Sequence, residues 1–62
     1  MIDKKSILEY IGNDNLNLVY NKDLGSWFFY YDIHKHDTLA TKLTDMDLHQ
    51  WKEEANFFLS KT

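Results

Sequence analysis

Cysteine, proline and arginine are all absent from this sequence, and glycine occurs only twice in 62 residues. Without cysteine there can be no disulfide, no thiolate zinc site and no cysteine nucleophile. Without arginine there is no planar fork to grip guanine edges or phosphates, and all seven cations are lysines set against ten acidic residues, for a net charge of −3. Nucleic acid is therefore disfavoured as a partner. Two glycines cannot build a glycine-rich phosphate loop. No apolar run approaches the roughly 20 residues that cross a bilayer. The start, MIDKKSILEY, also lacks the long apolar stretch of a secretion signal, so the expectation is a cytoplasmic protein that makes no use of membranes.

Aromatic residues are plentiful instead, at 16% of the chain. Residues 1–62 read as one domain, and a chain this short hides only about 60% of the surface it exposes when unfolded, so its core needs supplementing. With disulfides excluded, the candidates are dense ring packing, a histidine-held metal or association with another chain. Lys, Asn, Ile, Tyr and Phe, whose codons are AT-rich, are abundant, which points to a low-GC bacterial or viral genome.

The segment DKKSILEYIG reads as a two-turn helix, with Asp3 as cap, Ile7, Leu8 and Ile11 at helical spacing, and Gly12 as a left-handed stop. LNLVYN (residues 16–21) alternates as a strand, and KDLG turns it into the ring-rich segment 26–31, giving a hairpin. Two registers compete. Pairing Asn21 with Ser26 collects Leu16, Leu18, Tyr20, Trp27, Phe29 and Tyr31 on one face, as burial requires, and is preferred. Pairing Lys22 with Ser26, with Gly25 in a bulge, is favoured by turn chemistry but divides the rings between faces.

After a polar loop HKHD, TLATKL (residues 38–43) alternates as a third, short strand. A second helix is expected over 44–60, with Thr44 as cap, Asp47 at the third position and Leu43 and Leu48 as a hydrophobic staple. Its stripe is Leu48, Trp51, Ala55, Phe58 and Leu59, while Phe57 points the other way, beside Gln50, Glu53 and Glu54. The fold class is α+β: a three-stranded antiparallel sheet with the C-terminal helix packed on one face and a short N-terminal helix alongside. The expected core comprises these stripes and the helix-facing strand residues, together with Ile33, Leu39 and Leu43.

Five aromatic residues in succession, Trp27 to Tyr31, put rings on both faces of a strand. The face carrying Val19, Phe28 and Tyr30, with Phe57 on the outer side of the last helix, is therefore the candidate contact surface for a protein partner or a second copy. The alternative cover is the N-terminal helix itself. Glu53 and Glu54, with Asp45 and Asp47, give the last helix an acidic side that could address a basic partner. His34 and His36 are spaced to face one ion, with Asp32 and His49 as possible companions, but the spacing is weak and the plain reading is a solvated loop. No cofactor is expected. Ser6, Ser26 and Ser60, the threonines and the histidines fall in no catalytic motif, and a chain this small rarely encloses the roughly 300 Å³ of a small-ligand site. The resulting expectation is a non-enzymatic protein-binding module, of the kind phages or mobile elements use to block or adapt a host protein. The second is a single-stranded nucleic-acid binder that stacks bases on Phe28 and Tyr30.

Overall fold

The computed structural model describes residues 2–62, in which helix α1 (Lys4–Ile11) leads into strands β1 (Leu16–Asn21), β2 (Ser26–Tyr31) and β3 (His34–Asp37). A 3₁₀ turn (Leu43–Asp45) and helix α2 (Leu48–Leu59) complete the chain. The strands form an antiparallel meander in the order β1-β2-β3. Among the described residues no helix is long and apolar enough to cross a membrane.

Helix α1 begins and ends as its sequence dictates. The Asp3 carboxylate accepts from the Ser6 amide at 2.8 Å, and Gly12, at φ +78°, donates its amide to the Leu8 carbonyl at 3.0 Å. The hairpin takes the register favoured by burial: Asn21 pairs with Ser26, Tyr20 with Trp27, Leu18 with Phe29 and Leu16 with Tyr31. Gly25 still adopts its left-handed conformation, φ +69°, and the Asn21 side chain caps the loop by accepting from the Asp23 and Leu24 amides. A four-residue loop therefore satisfies turn chemistry and burial together.

Both helices lie on one sheet face. Ile7 from α1 and Trp51, Ala55 and Phe58 from α2 are buried against Leu16, Leu18 and Phe29. Trp51 meets Phe29 edge-on at 5.7 Å and donates its indole N–H to the Leu43 carbonyl at 2.9 Å, so its one polar atom is satisfied inside the core.

Three expectations are corrected. The third strand is His34–Asp37, the segment read as a polar loop, and 38–43 is not a strand. A two-residue turn, Asp32-Ile33, joins β2 to β3, with Asp32 in the left-handed region at φ +57°, a conformation aspartate tolerates. Beyond Asp37 the pairing is distorted: the Trp27 carbonyl accepts from the Thr38 amide, but the Trp27 amide donates to Ala40. Thr38 and Ala40 are thereby buried and Leu39 between them is expelled, as in a bulge. Leu39 (99% exposed) and Ile33 (79% exposed) are consequently not core, and Tyr20, edge-on to Trp27, keeps its outer side in water.

Helix α2 starts at Leu48, not at 44, with Asp47 as its cap. Asp45 folds back to accept from the Thr41 amide and hydroxyl and from the Lys42 amide, all within 3.0 Å, which closes the 3₁₀ turn. Met46 is then extended, and Asp47 and Gln50 cap each other reciprocally at 2.8 and 3.0 Å.

Candidate interaction surface

With both helices on one side, the opposite sheet face is left open. Its two rungs are Asn17–Tyr30–Lys35 and Val19–Phe28–Asp37, because these residues alternate with the buried ones and pair directly across the strands. Val19 and Tyr30 are 38% and 36% exposed, Phe28 is half-buried, and the Lys35 ammonium lies 5.2 Å from the Phe28 ring centre. The N-terminal helix does not cover this face: Ile7 is buried with Trp51 on the other side.

Phe57, Glu53 and Glu54, grouped with these residues in the sequence reading, belong to a different surface. Phe57 is 53% exposed on the flank of α2 next to β3, with the Lys61 ammonium 4.0 Å from its ring centre and the His36 ring 6.0 Å away. Glu54 is turned toward the sheet, where its carboxylate accepts from His36 Nε2 at 2.7 Å, and Glu53 pairs with His49 one helical turn away. Part of the acidic side of α2 is thus already engaged by histidines of the same chain.

His34 and His36 share a side of β3, as the spacing implied, but their surroundings differ. His36 stacks on Phe58 at 5.4 Å and is tied to Glu54, while His34 is exposed. His49 is held by Glu53, and among the described residues no group of three or more His, Asp or Glu side chains converges on one point.

An open cleft of about 660 Å³ lies between α1 and the start of β1, lined by residues such as Lys4, Leu8, Glu9, Asp14 and Leu16. It is an open angle between two elements and is not enclosed, so its volume is not that of a closed small-ligand site. No serine, threonine or histidine lines it. Two carboxylates titrate below the usual range. The Lys42 amide, then the Thr41 hydroxyl and amide, hold Asp45 down, and the Ser6 amide followed by its hydroxyl does the same for Asp3. Both are helix or turn caps and neither belongs to a site.

The sequence pointed to the open face through its run of rings, but it gave no warning that Ile33 and Leu39 would be exposed. The only local signal was the Asp32-Ile33 pair, a weaker hairpin cue than Asn-Gly or Asp-Gly. No family model, curated protein or solved structure matches this chain.

Proposed function

We propose that this chain is a non-enzymatic protein-binding module whose contact surface is the open sheet face around Val19, Phe28 and Tyr30. One observation carries the reading: a patch of rings and aliphatic surface faces away from the core and is covered by neither helix. Polar groups rim it, Asn17 at one edge and Lys35 and Asp37 at the other, the usual arrangement of an apolar centre with a wet border. The cleft beside α1 is open and no serine, threonine or histidine lines it, which favours binding over catalysis. Small size, low-GC composition and lack of cysteine suit a cytoplasmic phage or mobile-element protein that blocks or adapts a host protein.

The test is Phe28→Ala and Tyr30→Ala on immobilised protein, with circular dichroism as the control for folding. Both variants should retain the fold and lose proteins captured by the wild type, whereas Phe57→Ala should retain them. Loss of the fold in either sheet variant would make those rings structural and remove the basis of the reading.

The same rings could instead stack on bases, but Lys35 already lies over Phe28, and Asp37 stands on the same rung. Titrating an oligonucleotide at low salt while following tryptophan fluorescence separates the two readings, since base stacking gives a salt-dependent change and protein binding gives none.

A further inference from the structure

We propose that two copies of this chain associate through the free edge of β3, with His36 opposite its own copy on a two-fold axis, to form a continuous six-stranded antiparallel sheet. The inference goes beyond the reading of the open face and does not depend on it. β3 is an edge strand, and His34, Lys35 and Asp37 on it are exposed. The Thr38 amide bonds to the Trp27 carbonyl, and antiparallel pairing alternates bonded and non-bonded rungs, so the backbone groups of His36 and His34 turn toward β2. Those of Lys35 and Asp37 therefore turn outward, unpaired and ready for a further strand.

Side-chain chemistry then selects the register. A symmetric pairing that keeps each sheet face continuous must place residues of the same parity opposite one another. Pairing Lys35 with its own copy, or Asp37 with its own copy, sets like charges face to face. Centring the axis on His36 instead puts Lys35 of each copy opposite Asp37 of the other, twice over. The same register makes Lys35 and Asp37 the hydrogen-bonded pair, so all of their outward amides and carbonyls are satisfied.

A second, independent coincidence follows. This register brings Ile33, in the turn before β3, and Leu39 of the other copy, in the bulge after it, to the same end of the seam. These are the most exposed large apolar residues among those described, and a single chain leaves Leu39 bare and covers Ile33 only slightly. Phe57, half-exposed beside His36 on the helix-bearing side, lies next to the same seam. Short strands and an edge lysine normally protect against such pairing. Here the lysine is answered by an aspartate two residues away, so the protection works against foreign strands and not against an identical one.

The experiment is molar mass by light scattering and sedimentation across a concentration series, for the wild type and four variants, each checked by circular dichroism. Wild type should shift from monomer to dimer. Lys35→Asp, which makes both charge pairs repulsive, should weaken the dimer by about tenfold. The exchange Lys35→Asp with Asp37→Lys should restore it to within about threefold, since the reversed charges again complement each other. Leu39→Ser, at a side chain fully in water in one copy, should weaken the dimer while leaving monomer stability unchanged. Tyr30→Ala, on the open face, should leave the dimer unchanged. A wild type that stays monomeric up to about 1 mM overturns the proposal. So does a dimer indifferent to Lys35→Asp, or one dissolved by Tyr30→Ala, which would place the contact on the open face.

Discussion

Asp45 does more structural work than its exposed position suggests, since three donors from Thr41 and Lys42 converge on its carboxylate. Those bonds favour the charged form and lower its pKa from the ordinary 3.8, as the Ser6 bonds do for Asp3. A carboxylate depressed in the folded state contributes stability that is fully present above its unfolded pKa and is lost as pH falls through the folded value. Stability should therefore hold down to about pH 4 with respect to these two groups and decline below it. Asp45→Asn should flatten part of that acid slope, and urea midpoints for both proteins at pH 6 and pH 3 would show it. An unchanged slope would mean that the bonds to Asp45 do not persist in solution. Single residues were also where the sequence misled most. Leu39 alternates with Leu43 and Thr41 as a strand residue would, yet the Thr38 hydroxyl, donating to the Trp27 carbonyl at 2.6 Å, pins Thr38 inward and leaves Leu39 outside. That contact spans 11 residues and has no local signature.

Elements were more legible. The first helix and its two ends, the hairpin and its register, and the identity of the last helix all followed from local rules: capping chemistry, glycine at a positive φ, and burial of one strand face. What failed was competition between equivalent caps. Thr44, Asp45 and Asp47 are all credible helix starters, and the choice falls to Asp47 because Asp45 is already engaged with Thr41 and Lys42. Asp47→Ala should accordingly cost about 1 kcal/mol, whereas Thr44→Ala, at an exposed side chain, should stay within about 0.5 kcal/mol. Chemical denaturation of the two variants side by side checks this. Equal losses would restore the earlier helix start. The open face was legible only in part, because five successive rings announce that both faces of β2 are apolar without saying which the helices will choose.

At the scale of the molecule, two thin layers measuring 26 × 26 × 16 Å leave little redundancy. Ile7 is the buried contribution of α1 to a core otherwise built by α2 and the sheet. Total stability for a chain of this length is of the order of 3–9 kcal/mol, and truncating a buried isoleucine to alanine removes about 2–5 kcal/mol. Ile7→Ala should therefore lower the thermal midpoint of every probe together, far-UV dichroism and tryptophan fluorescence alike, in one cooperative transition. If α1 melted first while Trp51 stayed protected, the helix would be an accessory and not part of the folding unit.

Strand order in space repeats strand order in the chain, through connections of only four and two residues, so nearly every pairing is between neighbours in sequence. Short sequence separations mean small losses of chain entropy before contacts form, and hence rapid folding. Proline is absent, so no slow peptide isomerisation can hold part of the population back. Refolding from denaturant at low protein concentration should run as a single exponential, complete within about a second, with no minor phase on the scale of tens of seconds. The meander thus makes this a chain whose native state is reached faster than the chain itself can be synthesised.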